Sequence, residues 1–382
     1  MVGWIAGILL VLATLLLLGW LVARFCLEGP DLSEFDGPAE DRPPPAGRRG
    51  PEYVAVLRFM EQTSAAVLAA PRRKRLATAR RLLDAGMAGA TPTAEDLGVR
   101  IVAARAGDVS AEWVIAPGAD PDWRLLYLHG GSFVMGSPRS HRGLTAALSG
   151  AAGVSVLAID YRLMPERSRR AGIADCRAAY RWILSNGPAG AAAASRVFVA
   201  GDSAGGNLAL TLIAWARDEG LRQADAALAI SPVTDMTFSS PSLRGNRPSD
   251  PMLRRALQPL LRLPRPVMLW LLWIGNRINP QSPLLSPIFG DLGGLPPILI
   301  HASQTEMLLD DARRYVNKAR AAGSSARIET WPDMFHAWHV FAQVLPEAEE
   351  AIGSIGRFLA ECGRLPLASS VPPQDTPGPK WQ

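Results

Sequence analysis

The run Gly201-Asp202-Ser203-Ala204-Gly205 reads G-x-S-x-G. The apolar run Arg196-Val-Phe-Val-Ala200 precedes it and a helix-forming run, residues 207–216, follows it. Strand, sharp turn and helix in that order are the setting a nucleophile elbow requires. So tight a turn needs small neighbours, and Gly201, Ala204 and Gly205 are small. Ser203 Oγ would then stand at the C-terminal end of the strand. The Ala204 N–H, at the helix start, would point at negative charge forming beside it. A plain Gly/Ser turn gives the same five letters by chance, so the partners decide what the motif means.

A serine hydroxyl attacks a carbonyl at neutral pH only with a base within hydrogen-bond reach and an acid that orients the base. Three histidines follow Ser203: His301, His336 and His339. His301 lies inside an apolar strand-like run and reads as structural. His336 falls in the loop between the last strand and the last helix, where a parallel sheet presents loops at its C-terminal edge. His339, in the first turn of the helix, is the weaker candidate for the base. For the acid, residues 303–311 contain Glu306, Asp310 and Asp311. Asp310 and Asp311 open a helix, where carboxylates satisfy free N–H groups. Glu306 has no such local role and is preferred, with Asp310 as the alternative. Donors for an oxyanion are expected from Ala204 and from the loop His129-Gly130-Gly131-Ser132, where glycine lets backbone approach a substrate closely.

These loops must be held by a scaffold. Strands are expected at 99–103 and 112–116, as a hairpin about Gly107-Asp108, then at 123–128, 154–159, 197–199, 226–230, 298–300 and 326–330. Helices are expected at 173–184, 207–216, 310–322 and 346–361. The alternation predicts an α/β fold with a mostly parallel sheet covered on both faces.

The chain has 382 residues, 48% hydrophobic and 20% charged, with a formal net charge of +5. That bias is too small to point to nucleic acid and suits an anionic membrane surface. Cys26, Cys176 and Cys362 form neither a disulfide framework nor a metal pattern, so no metal is expected. Residues 4–23 are uncharged and apolar with Trp4 and Trp20 near the ends, long enough for a hydrocarbon core of roughly 30 Å. No basic residue precedes the run and no small-x-small site ends it, so a retained single-pass anchor is expected over a cleaved signal. Arg24 after the span favours the cytoplasmic side for the rest of the chain. The proline-rich residues 26–52 read as an extended linker. Residues 53–86 read as helical and strongly basic, with Arg72-Arg-Lys-Arg75 and Arg80-Arg81 as either a lipid-facing or a solvated face. Residues 366–382 read as a disordered tail. Oligomeric state leaves no signature here.

Four separate pieces resemble the hormone-sensitive-lipase-like esterases of the α/β-hydrolase fold. HGGSF (129–133) is similar to that family's H-G-G-G-F/W, and DYRLMPE (160–166) to its D-Y-R-L-A-P-E. GDSAGGNL (201–208) matches its elbow, and SQTEMLLDD (303–311) with ETWPDMFHAW (329–338) its acid and histidine segments. The resemblance covers residues of about 97–362 and implies Ser203 as nucleophile, His336 as base and Glu306 as acid. It implies an oxyanion hole from the N–H groups of Gly131, Ser132 and Ala204, with Gly130 shaping the loop, and no cofactor. Ser132 stands where the family has a third glycine, Glu306 where it usually has aspartate, and Ala337 where glycine commonly follows the histidine. The family's cap would correspond to residues 53–96 and an insertion at about 235–280, leaving 97–365 as the catalytic domain. The charge-free run 266–274 is too short to span a membrane; it would wall an acyl pocket or touch lipid beside Arg262 and Arg265, with a helix buried against the core as the alternative. The arrangement also resembles membrane-anchored arylacetamide-deacetylase-like members. It implies a membrane-anchored esterase for short- to medium-chain acyl or lipid-like esters. An amidase or deacetylase would use the same triad, and a non-catalytic ligand receptor would have lost part of it.

Overall fold

The computed structural model describes residues 2–40, 50–90 and 98–364. The expected tail at 366–382 lies outside the described residues, as do 41–49 of the linker and 91–97 at the cap boundary.

The chain opens with helix α1 (Val2–Val22), continued by a wider turn over Ala23–Leu27. Helices α2 (Pro51–Ala69) and α3 (Arg75–Ala90) follow. Helical structure was expected over 53–86, and the structure divides it into two helices. Pro71 divides it, because proline has no N–H to give and forces the preceding residue, Ala70, into an extended conformation. The hairpin β1 (Arg100–Ala106) and β2 (Val109–Ile115) turns on Gly107, at φ 64°. Next come β3 (Asp120–Leu128), α4 (Arg142–Ala152), β4 (Val154–Ile159) and α5 (Arg169–Ile183), whose first turn is capped by Ser168. A two-residue hairpin, β5 (Asn186–Gly187) and β6 (Gly190–Ala191), leads to β7 (Arg196–Asp202), α6 (Ala204–Asp218) and β8 (Ala226–Ile230). The insertion carries α7 (Ser242–Gly245), α8 (Leu253–Leu261) and α9 (Arg265–Asn276). The chain closes with β9 (Ile298–Ser303), α10 (Leu309–Ala321), β10 (Ala326–Trp331) and α11 (Pro346–Arg364).

The 8-stranded sheet has the order β1-β2-β4-β3-β7-β8-β9-β10. β2 is antiparallel to both neighbours, and β4, β3, β7, β8, β9 and β10 run parallel. Side chains of β3 alternate between two cores, as the period of two in a strand requires. Leu126 and Leu128 join the core under α5, α6 and α10, whereas Leu125 and Tyr127 join the one under α4 and α11. All parallel strands therefore end on one edge, and the loops leaving that edge carry Ser203, Glu306 and His336.

Of the linker expected to be extended, the described residues 28–40 include a 3₁₀ turn (Ser33–Phe35) and are docked on the rest of the chain. Leu32 and Ala39 are buried. Asp36 pairs with Arg314 and Glu40 with Arg313, both on α10. Asn317 Nδ2 donates to the Phe35 carbonyl at 3.1 Å, and Glu40 bridges to Ile328 of β10.

Candidate active site

Ser203 sits between the last residue of β7 and the first of α6, at φ 52° and ψ −113°. This is a left-handed conformation that costs a side-chain-bearing residue energy. Its surroundings hold it there. The Ser203 N–H donates to the Ile230 carbonyl at 2.7 Å. The helix N-terminus presses so closely on the sheet that a Cβ on Gly201 would lie 2.4 Å from the Gly205 carbonyl group. A Cβ on Gly205 would lie 1.8 Å from the Leu128 carbonyl oxygen. The glycines of the motif are thus required by contact with backbone.

His336, buried in the loop after β10, lies between Ser203 and Glu306. Its Nε2 is 2.9 Å from Ser203 Oγ and its Nδ1 3.0 Å from Glu306 Oε2. Ionised glutamate only accepts, so Nδ1 carries the proton and Nε2 is left to accept from the serine hydroxyl. Glu306 is fully buried, and its other oxygen accepts the Ser303 N–H at 3.1 Å. Burial pushes the Glu306 carboxyl above its usual range despite the opposing pull of His336. Burial alone would push His336 down. The Glu306 hydrogen bond and the negative charges of Glu306, Asp250 and Asp202 outweigh it, and the imidazole titrates above its ordinary value. Ala337, where a glycine was noted as common, takes φ 52°, the conformation glycine adopts without cost. Its N–H donates to Ser231 Oγ at 3.1 Å.

The loop after β3 faces the elbow. Among the described residues, the N–H groups of Gly131, Ser132 and Ala204 have no protein acceptor. The Gly130 N–H is engaged: it donates to Asp202 Oδ1 at 2.8 Å. A Cβ on Gly130 would meet that carboxylate at 2.1 Å. Gly130 therefore belongs to the scaffold of the loop, while Gly131, Ser132 and Ala204 leave donors available. Ser132 and Phe133 are both left-handed, at φ 55° and 64°. Three contacts hold this loop. The Tyr161 hydroxyl donates to the His129 carbonyl at 2.7 Å, the Met164 N–H donates to the Phe133 carbonyl at 3.0 Å, and the Arg169 guanidinium lies 3.4 Å over the Phe133 ring.

Several supporting residues were not assigned a role from the sequence. Asp202 is buried and accepts from the Tyr127 hydroxyl at 2.6 Å, and His141 Nε2 lies 3.4 Å away. Burial would raise its pKa, but the His141 charge and these donors bring it down to about 2. Asp250, also buried, accepts the N–H groups of Met252 and Leu253 at the start of α8 and that of Met307, next to Glu306. It ties the insertion to the acid loop. Asn207 Nδ2 donates to the carbonyls of Val233 and Leu285, and its oxygen accepts from Arg169.

The alternatives fall elsewhere. His339 is in a 3₁₀ turn (Trp338–Phe341), fully buried, and shares a 3.0 Å contact with His301 Nδ1 rather than with the serine. Asp310 and Asp311 do not cap their own helix, as expected of them. Asp310 accepts the Ser242 N–H, and Asp311 accepts those of Thr234 and Asp235. Their partners lie on a loop distant in sequence, which a local reading cannot supply. Of the basic face expected on α3, Arg80 is committed inward, with two bonds to Glu166 and one each to the carbonyls of Val134 and Met164.

A parallel sheet with an antiparallel β2, a strained serine at the β7–α6 turn and a histidine–carboxylate pair from the next loops define an α/β-hydrolase. The family model described as alpha/beta hydrolase fold matches residues 125–340, and the chain belongs to that family. Among curated relatives, an acetyl-hydrolase of Streptomyces hygroscopicus is 42% identical over 254 residues, which are 66% of this chain and 80% of that one. The carboxylesterase/phospholipase LipF of Mycobacterium tuberculosis (strain ATCC 25618 / H37Rv) is 36% identical over 260 residues, 66% of this chain and 67% of that one. Among solved structures, an esterase from the bacterial hormone-sensitive lipase family has a TM-score of 0.72 at 38% identity, covering 82% of this chain and 99% of that one. The protein is a carboxylesterase-type hydrolase of the hormone-sensitive-lipase-like group, as its four motifs implied.

Proposed function

We propose that the protein is a membrane-anchored serine ester hydrolase that cleaves short- to medium-chain acyl or lipid-like esters through an acyl-enzyme on Ser203. The observation that carries this reading is His336, within hydrogen-bond distance of Ser203 Oγ on one side and Glu306 on the other. Ser203 Oγ attacks the ester carbonyl as His336 Nε2 takes its proton. The carbonyl oxygen, now negative, enters the space between the N–H groups of Gly131, Ser132 and Ala204. One such donor typically lowers the barrier by about 2.7–4 kcal/mol. His336 then protonates the leaving alkoxide. Water, deprotonated by the same nitrogen, attacks the acyl-enzyme and frees the acid. Glu306 holds the Nδ1–H tautomer and balances the transient imidazolium. No step calls for a cofactor or a metal.

The anchor reading rests on α1. Residues Trp4–Leu27 form a helix of 24 residues, long and apolar enough to cross a membrane, whose most apolar 18-residue window is not covered by the rest of the protein. An ester that partitions into the bilayer suits an enzyme held there.

Two measurements test the proposal on the detergent-solubilised full chain and on isolated membranes. Ser203→Ala should lose both hydrolysis of p-nitrophenyl butyrate and labelling by a serine-reactive phosphonate; retention of either removes Ser203 from this role. The wild-type chain should stay with membranes through an alkaline carbonate wash; release into the supernatant overturns the anchor.

A further inference from the structure

We infer that the outer face of α9 lies in the lipid headgroup interface beside the anchor, so that the insertion makes a second contact with the same bilayer. This rests on the reading of α1 as a membrane anchor and adds to it a surface of the catalytic domain. Helix α9 is apolar on every side. Met268 and Leu272 pack on the main core, and Leu269 packs with Ala23 and Leu27 at the foot of α1. The remaining side carries Val267, Leu271, Trp273 and Ile274, which are 45%, 49%, 40% and 61% exposed. Positions 267, 271 and 274 fall on one stripe of a helix. A helix apolar all round that is not enclosed by protein is suited to lipid. At 12 residues, α9 is too short to span and long enough to lie along a surface.

Position is fixed by contacts to the anchor. Trp270 Nε1 donates to the Gly19 carbonyl at 2.9 Å, Asn279 Nδ2 donates to the Cys26 carbonyl at 2.7 Å, and Arg265 pairs with Glu28 at 2.7 Å. These contacts hold α9 level with the end of the span, where hydrocarbon gives way to headgroups. Phe25, 74% exposed, extends the apolar surface between them. Charge selects lipid over solvent or another protein. The charged residues of 251–290 are Arg254, Arg255, Arg262, Arg265 and Arg277, with no lysine and no acid. Arg262 and Arg277 are exposed and flank α9, where their long side chains reach phosphates while their stems stay on the apolar face. The occupant is therefore a phospholipid surface with anionic headgroups.

The test uses the full chain in phosphatidylcholine vesicles containing phosphatidylglycerol. Cys26, the exposed native cysteine, is replaced by serine. One cysteine is then introduced per protein and labelled with a fluorophore: Leu16→Cys on the anchor, Ile274→Cys on α9, or Asp108→Cys at the β1–β2 turn on the far edge of the sheet. Retained hydrolysis of a soluble ester establishes that each variant is folded. Nitroxide lipids with the spin label near the headgroup should quench the label at 274 by about half or more and leave the label at 108 unaffected. Lipids labelled deep in the chain should quench the label at 16. Quenching at 16 without quenching at 274 overturns the inference while leaving the anchor in place. Quenching at neither site removes the anchor, and the inference with it.

Discussion

The Asp202 carboxylate, one residue before the serine, accepts the N–H of Gly130 at 2.8 Å and so joins the elbow to the loop proposed to carry the oxyanion donors. The same oxygen accepts the Tyr127 hydroxyl and faces His141. Strand β7 delivers Asp202, β3 delivers Tyr127, the loop after β3 delivers Gly130, and the turn before α4 delivers His141. Distances between Ser203 and the N–H groups of Gly131 and Ser132 thus depend on a side chain that never meets substrate.

Asp202→Ala should leave a buried histidine charge and two donors without their acceptor. Loss of one partner from a buried charged pair costs about 3–5 kcal/mol. Chemical denaturation should show that loss, and kcat on a soluble ester should fall by about a hundredfold as the loop shifts. Its pH dependence has a defined sign. The Asp202 pKa is lowered to about 2, so its contribution to stability is present above the unfolded value and lost as pH falls toward 2. The His141 pKa is raised against burial by Asp202, so its contribution is full below the unfolded histidine value and lost as pH rises through the folded one. An Asp202→Ala melt should lose both dependences.

His336 must be neutral to accept the serine proton, so kcat/KM should rise with pH along an acidic limb. Its midpoint is expected above the ordinary histidine value of about 6.5, because the negative charges around His336 outweigh its burial. Glu306→Gln removes the nearest of those charges. The midpoint should move to lower pH, and the plateau rate should fall by about 10⁴-fold through loss of the correct tautomer. A rate profile across pH 5 to 9 reads both effects, and an unmoved midpoint would separate Glu306 from His336.

The two histidines of the loop, His336 and His339, can be told apart by labelling as well as by rate. His336→Ala should abolish hydrolysis and phosphonate labelling together. His339→Ala leaves the Ser203–His336–Glu306 contacts intact but strips His301 of its 3.0 Å partner. It should keep labelling and lose about 1–3 kcal/mol of stability. The reverse result would assign the base to His339.

Arg80 reaches from α3 to Glu166 and to the carbonyls of Val134 and Met164, which brace the loop bearing Ser132. Arg80→Ala should lower kcat by about tenfold to a hundredfold with little change in KM. Arg80→Lys should not rescue it, because an ammonium cannot reproduce the two-pronged bond to Glu166. Full activity in Arg80→Ala would mean the loop stands without its contact to α3.

Ser203, His336 and Glu306 were legible because each lies in a loop after a strand, and the strand–helix alternation is written in local hydrophobic pattern. The supporting pairs were not. Asp202 and His141, or Asp311 and the N–H groups of Thr234 and Asp235, come together only when separate strands align. Their side chains look like ordinary polar residues until the sheet order is known. The acids of the proline-rich segment were visible, but their arginine partners on α10 were not, so a docked strap read as a free linker.

Glycine at the elbow offers a test of packing that activity alone does not provide. Gly205→Ala would set a methyl group 1.8 Å from the Leu128 carbonyl oxygen, with the sheet on one side and the helix start on the other. Neither can retreat without moving Ser203, so the variant should lose more than about 3 kcal/mol and much of its soluble yield. Gly206→Ala meets Pro232 at 3.0 Å, which requires a shift of only a few tenths of an ångström. It should fold and lose about 1 kcal/mol. Urea unfolding midpoints of the pair decide the matter. Equal losses would mean that the first turn of α6 does not press on β3, and the strain at Ser203 would then need another cause.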